Sequence, residues 1–144
     1  MQLGFWDPLN LLEDATPERW TRLRSSELKN GRVAMLAVVG YLVTKAGIRF
    51  PGADDIPDGL AALPALPYLV VIQMLFTTGL MEMLNRDAFG KAEFIGDFRN
   101  GYLDFGWDKF DEKTKLKKRN TELNQGRAAM MGITGLMGKY SWLL

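Results

Sequence analysis

The sequence contains no cysteine and no histidine. The first absence excludes disulfides, thiolate catalysis and Cys-bearing zinc sites. The second removes the commonest general base and the commonest protein metal ligand, so no enzymatic activity is expected. An excess of charge is missing as well. With 18 Lys and Arg against 17 Asp and Glu, a net charge of +1 offers no footing for a nucleic-acid backbone. Met1 to Arg24 shows neither a basic start followed by an apolar stretch nor an Arg- and Ser-rich, acid-poor stretch. The chain therefore reads as a mature one, without a targeting segment.

What remains is 144 residues, 47% of them apolar, enough for a single domain over residues 1–144. The mean hydropathy of −0.09 is that of a soluble protein, and composition alone describes a small soluble helical bundle. Local patterning points elsewhere. Val33 to Val43 is uncharged, Leu60 to Met81 carries only the amide Gln73, and Ala128 to Gly138 is uncharged before Lys139 and the apolar end Trp142-Leu143-Leu144. Only the middle segment reaches the roughly 20 apolar residues that a bilayer core demands. The outer two reach that length if their charged first turns, Glu27 to Arg32 and Glu122 to Arg127, also enter the membrane. The spacing predicts helices over about 20–46, 62–85 and 113–141, making an all-α membrane protein with three spans.

Those two charged turns are copies. Glu27 to Gly40 recurs as Glu122 to Gly135, with seven of fourteen positions identical, where chance at average usage supplies about one. Each copy places a carboxylate, an amide and an arginine at the entrance of an apolar helix. An unpaired charge near the bilayer centre costs about 2.5 to 3.5 kcal/mol, so four would cost roughly 10 kcal/mol. Within one copy Glu and Arg stand five residues apart, about 140° around the helix, and face each other poorly. Pairing across copies, Glu27 with Arg127 and Glu122 with Arg32, solves this and makes the first and third helices cross about a pseudo-twofold axis. Gly31, Ala34 and Ala37, and Gly126, Ala129, Gly132, Gly135 and Gly138, supply small residues for the close approach.

Outside the spans, thirteen Lys and Arg lie in the N-terminal part and the second connector, against three in the first connector and the C-terminus. This asymmetry puts the N-terminus on the positive side and the C-terminus opposite. Pro51-Gly52 and Pro57 mark the first connector, while Pro64 and Pro67 are expected in the first turns of the second helix. The second connector is rich in aromatics, Phe89, Phe94, Phe98, Tyr102, Phe105, Trp107 and Phe110, and is expected to pack at the membrane interface. Its run Lys113 to Arg119 reads as a solvated approach to the third helix, with attraction to anionic lipid as a second role.

A bridged Glu keeps one oxygen free as a hard ligand, suited to magnesium and so to the centre of a chlorophyll. Asn30 and Gln125 lie three residues beyond the two Glu, on nearly the same faces. Ligation and hydrogen bonding between helices both accommodate these amides. Gln73 and Glu82, about 180° apart on the middle helix, would serve two sites, and a helix-end pair of Glu82 with Arg86 is the simpler alternative for the second. The Met residues fill core gaps, contact cofactor, or do both.

ELKNGRVAMLA and ELNQGRAAMMG resemble the paired signature helices of the light-harvesting chlorophyll-binding proteins. The entry Gly4-Phe5-Trp6-Asp7-Pro8-Leu9-Asn10, the continuation VVGYLVTKAGIRFPG and the connector EFIGDFRNGYLDFGW resemble the fucoxanthin chlorophyll a/c branch, with similar connectors in peridinin-containing antennae. The resemblance covers nearly the whole chain. It implies chlorophyll a, chlorophyll c and carotenoids of the fucoxanthin or peridinin type, with diadinoxanthin and lipid as further ligands. It implies Glu27, Asn30, Gln73, Glu82, Glu122 and Gln125 as axial ligands to chlorophyll magnesium, Arg32 and Arg127 as their bridges, and Asp7-Pro8-Leu9 beside a carotenoid end group.

The implied function is a light-harvesting antenna in the chloroplast thylakoid membrane, N-terminus stromal and C-terminus lumenal, passing excitation to a photosystem core beside neighbouring antenna subunits. A photoprotective, energy-dissipating member has the same fold, and a small transporter would also use buried ion pairs. Two departures from the family pattern stand out. Lys139 occupies a position where relatives often carry a Gln or His ligand, and a protonated Lys has no lone pair to give. The sequence also stops at Leu144, so the lumenal amphipathic helix of green relatives is expected to be missing.

Overall fold

The structure is a computed structural model that describes residues 7–10, 12–13, 15–84, 93–98 and 106–141, with side chains through Gly138. Helices are the regular structure among the described residues, with no strand among them. Among the described residues there are four α-helices: α1 (Pro17–Lys45), α2 (Ala62–Ala65), α3 (Tyr68–Leu84) and α4 (Glu112–Ser141).

The start and stop of α1 are written in its flanks. Thr16 is extended at φ −61° and ψ 152°, and its Oγ1 accepts from Arg19 N at 3.3 Å. Pro17 follows at the first helical position, where a missing N–H costs nothing. At the other end Gly47 takes φ +80°. That turn lets Gly47 N donate to Thr44 O at 3.0 Å and Ile48 N to Val43 O at 3.2 Å, the paired bonds of a Schellman cap. The loop beyond is held by Asp58, whose Oδ1 lies 2.6 Å from Arg49 Nη2 and whose Oδ2 lies 3.7 Å from Lys45 Nζ. Arg49 Nη1 also donates to the carbonyls of Ala53 and Ile56.

The middle apolar segment differs from the continuous helix expected from residue 62. Leu66 is extended at φ −74° and ψ 139°, because a residue before proline is pushed out of the helical region. Pro67 then starts a new helix, its carbonyl accepting from Val70 N at 2.9 Å and Val71 N at 3.2 Å. The stretch Gly59–Ala65 and α3 meet at a bend of 117°. No single described helix is long and apolar enough to cross a membrane, but this bent pair reaches the requirement by length and composition.

The principal packing is α1 against α4. Its centre is the pair Gly31 and Gly126: a Cβ built on either would lie 3.0 Å from the other's Cα. Gly31, Ala34, Leu123 and Gly126 form the buried strip. Elsewhere the helices bear their apolar side chains outward. Leu36 is 74%, Phe76 70% and Met131 77% exposed, and α3 has no buried residue at all. α3 is tied to α1 by Lys29 Nζ and Glu82 Oε2 at 2.7 Å.

Candidate functional site

At the α1–α4 contact both expected bridges form. Arg32 Nε lies 2.6 Å from Glu122 Oε1, and Arg127 Nε lies 2.6 Å from Glu27 Oε1. The equal distances and the reciprocal glycine contact give this region a local twofold character. The reason is geometric: with no side chain at Gly31 and Gly126, each Arg one residue further on reaches the opposing helix instead of its own Glu.

The second carboxylate oxygens break that symmetry. Glu122 Oε2 accepts no hydrogen bond from the described residues, as expected of a free ligand. Glu27 Oε2 instead accepts from Arg24 Nη1 at 3.0 Å, which corrects the expectation that each bridged Glu keeps a free oxygen. An oxygen with one such bond still has a lone pair to offer.

Arg32 has further partners that the repeat does not announce. Its Nη1 donates to Gly96 O at 2.8 Å, and its guanidinium lies 5.3 Å from the Phe98 ring centroid. Residues 93–98 are thus docked on the bridge. Gly96 sits at φ +85° with Leu28 Cδ1 3.0 Å from the place a Cβ would take. Gly96→Ala is therefore expected to pull the segment off Arg32 at a cost of about 1 to 2 kcal/mol, measurable as faster amide exchange over 93–98 with α1 and α4 unchanged.

The described part of the aromatic connector packs here. Phe94 and Trp107 stand 5.5 Å apart, and Trp107 meets Phe110 edge-on at 6.4 Å. Glu93 is the hub of the polar contacts: Oε2 accepts from Trp107 Nε1 and Oε1 from Lys115 Nζ, both at 3.3 Å. Lys115 also meets Glu112 Oε1 at 3.4 Å. Burial alone would lower the Lys115 pKa, but hydrogen bonds and attraction from Glu93 and Glu112 outweigh it and the pKa is raised. A raised folded value means that this contribution to docking is complete below the ordinary lysine pKa, about 10.4, and is lost as pH rises through the folded value. A variant retaining Trp107 as its sole tryptophan should keep constant emission through neutral pH and change only above that range. In Lys115→Met the alkaline change should be absent.

Neither signature amide bonds across the helix pair. Asn30 is exposed and its Nδ2 donates to Ser26 Oγ at 3.4 Å within α1, while Gln125 is exposed with no side-chain hydrogen bond among the described residues. Gln73 is also exposed on α3. Glu82 is paired with Lys29; Arg86, its alternative partner from sequence, lies outside the described residues. Asp7 Oδ2 accepts from Leu12 N at 2.9 Å, which folds the entry into a turn with Pro8 and Leu9 exposed and Asn10 at φ +51°. The side chain of Lys139, residues Gly4 to Trp6, the connector aromatics Phe89, Tyr102 and Phe105, and the end Trp142 to Leu144 lie outside the described residues.

Sequence reasoning missed the Lys29–Glu82 tie, the Arg32–Gly96 bond and the Glu93 hub. The first two link residues 53 and 64 positions apart with no repeat to pair them. The third had a signal in Glu93 and Trp107 themselves, since a lone carboxylate among aromatics needs donors.

Residues 1–141 match the family described as Chlorophyll A-B binding protein. The chain is 55% identical over 144 residues to fucoxanthin-chlorophyll a-c binding protein D of Phaeodactylum tricornutum, covering 94% of this chain and 73% of that one. It is 50% identical over 147 residues to the fucoxanthin-chlorophyll a-c binding protein of Trieres chinensis, covering 94% and 72%. A relative from Macrocystis pyrifera, fucoxanthin-chlorophyll a-c binding protein B, is 45% identical over 146 residues, covering 94% and 66%.

Proposed function

The chain belongs to the chlorophyll A-B binding protein family, in its fucoxanthin-chlorophyll a/c branch, and we propose that its reciprocal Glu–Arg bridges build the chlorophyll sites of a light-harvesting antenna. It binds chlorophyll a, chlorophyll c and fucoxanthin and feeds their excitation onward. No bond is made or broken in that work. The protein fixes the distance, orientation and site energy of each pigment.

The observation that carries the site assignment is the outward placement of oxygen donors around a neutralised centre. Each Arg cancels one carboxylate charge, so Glu27 and Glu122 offer oxygen to magnesium without an isolated charge in an apolar medium. Asn30 and Gln125 project amides from the exposed faces of the same helices, where a flat macrocycle has room. Glu82 and Gln73 serve α3, and Lys29 does for Glu82 what Arg32 does for Glu122. When bound, the magnesium macrocycles supply absorption and energy transfer; the chain supplies one oxygen donor to each and apolar walls. The exposed apolar side chains of α1, α3 and α4 are those walls, with carotenoids in the grooves beside α1 and α4 and an end group beside Asp7-Pro8-Leu9. Diadinoxanthin and bound lipid fit the same grooves.

Three spans follow from this reading, through α1, α3 and α4, with Gly59–Ala65 lying along the far surface at its 117° bend. The excess of Lys and Arg places the N-terminus in the stroma and the C-terminus in the lumen of the thylakoid. A photosystem core and neighbouring antenna subunits receive the excitation.

The test is ligand by ligand. Asn30→Leu and Gln125→Leu are each expected to lose a single chlorophyll from the purified complex, with the helix bridges and the remaining pigments retained. Full chlorophyll content in both variants would refute the assignment of the amides.

A further inference from the structure

Two departures break the equivalence of the copies. Upstream of the signature, Arg24 stands to Glu27 as Arg119 stands to Glu122, at the same offset of 95. Arg24 closes Glu27 Oε2 at 3.0 Å, whereas Arg119 lies 4.7 Å from the Phe94 ring centroid. The second departure is inside the signature, where Lys29 of α1 corresponds to Asn124 of α4. Lys29 Nζ reaches Glu82 Oε2 on α3 at 2.7 Å. Asn124 is exposed and uncharged, and makes no side-chain hydrogen bond among the described residues.

This second difference bears on a choice that the repeat leaves open. With its local twofold character, the α1–α4 pair offers α3 two comparable flanks, one along each helix. Packing does not make the choice, since α3 has no buried residue and helix packing is concentrated between α1 and α4. Nor does the connector, because residues 46–67 are long enough to reach either helix. Charge decides it. Lys29 lies two residues before Gly31, at the centre of the crossing. The nearby carboxylates are taken, Glu27 by Arg127 and Arg24, and Glu122 by Arg32. Glu82 is the acidic partner that Lys29 finds. Both side chains are about half exposed. In water such a pair contributes little, but in the membrane setting proposed above an unpaired ammonium at this depth is costly, and the pairing is compelled.

We propose that Lys29 is a positioning residue that fixes α3 on the α1 flank of the crossed pair and, with it, the lateral place of Glu82. The repeat builds a symmetric pair of helices, and one lysine turns it into an asymmetric scaffold of three. Glu82 Oε1 accepts no hydrogen bond from the described residues, so the tie uses one oxygen and leaves the other open. In the three-span reading α1 and α4 run in the same direction, so a lysine at position 29 or at position 124 meets the same end of α3. The placement of α3 rests on the ion pair and the membrane setting; the pigment at Glu82 rests on the ligation proposed above.

The experiment measures distances between spin labels in the full pigmented complex, on introduced cysteines that are the only thiols because the chain has none. The pair Val33→Cys and Thr78→Cys, one turn after Lys29 and one turn before Glu82, reads the α1 flank. Ala128→Cys with Thr78→Cys reads the other, since Ala128 is the counterpart of Val33. Val33→Cys with Ala128→Cys reports that the crossed pair is intact. The unaltered Lys29 background is expected to show a narrow, short Val33–Thr78 distance and a longer Ala128–Thr78 distance. Lys29→Met should lengthen and broaden the first, and Lys29→Arg should keep it. Moving the lysine, Lys29→Asn with Asn124→Lys, should lengthen Val33–Thr78 and shorten Ala128–Thr78. The charge exchange Lys29→Glu with Glu82→Lys should keep the original distances yet lose the chlorophyll assigned to Glu82, which separates placement from ligation. A Val33–Thr78 distance unchanged by both Lys29→Met and the moved lysine overturns the proposal. So does a displaced α3 in the charge exchange while the Val33–Ala128 distance is intact, and this variant decides where Lys29→Met disturbs the crossed pair. Original distances with full chlorophyll in the charge exchange support the placement and defeat ligation by Glu82, whereas a complex without chlorophyll defeats the antenna reading.

Discussion

Arg32→Leu is expected to abolish assembly of the pigmented protein. The substitution removes the partner of Glu122 at 2.6 Å and the donor to Gly96 O at 2.8 Å together. In the membrane setting proposed for Glu122, an unpaired carboxylate costs about 3 kcal/mol, which is about a hundredfold in the assembly equilibrium. Loss of the Gly96 bond adds about 1 to 2 kcal/mol. The measurement is chlorophyll per polypeptide after reconstitution, with Lys139→Ala as the control that should retain its pigment. The double variant Arg32→Leu with Glu122→Leu separates two roles. Replacing both charges by apolar side chains is expected to recover helix association, while the chlorophyll assigned to Glu122 stays absent. Equal pigment in wild type and Arg32→Leu would contradict the bridge as a structural requirement.

Gly126→Val should have a comparable effect by a different route. Its Cβ would stand 3.0 Å from Gly31 Cα, a contact with backbone that no rotamer change relieves. Two further methyl groups then force α1 and α4 apart, at a cost of about 3 kcal/mol. Both 2.6 Å bridges cross this point, so they stretch together. The expected result is loss at once of the pigments proposed for Glu27 and Glu122. Gly40→Ala is the comparison: no protein atom lies within 4 Å of its added Cβ, and alanine favours the helix by about 1 kcal/mol. A Gly126→Val complex with wild-type pigment content would show that the close approach is dispensable.

The bridges were legible because the repeat supplies the same question twice. Five residues separate Glu from Arg in each copy, and only exchange between copies answers it. The glycine contact was legible for the same reason, since Gly31 and Gly126 occupy equivalent places. The bend before α3 is also open to sequence reasoning, but Pro64 and Pro67 read together as the first turns of one helix, whereas the restriction on Leu66 divides it. The different fates of Arg24 and Arg119 were not legible. They depend on Phe94, which comes from a connector with no counterpart in the first copy. Duplication predicts equivalence, and inserted segments decide where it fails.

The two carboxylates are consequently unequal as oxygen donors. Glu122 has an oxygen with no hydrogen bond among the described residues, while Glu27 shares both of its oxygens with arginines. A donor already accepting two charge-assisted bonds is less basic toward magnesium. If both carboxylates hold chlorophyll as proposed, the one on Glu122 is expected to be the more firmly held, a difference that arises from a single arginine on each helix.

The fluorescence excitation spectrum of chlorophyll a emission, recorded on the purified complex, tests the antenna function most directly. Fucoxanthin absorption is expected to appear as a band in that spectrum, because pigments fixed on one small scaffold transfer excitation. A complex whose chlorophyll emission shows no fucoxanthin band, or that carries no chlorophyll, would contradict the account.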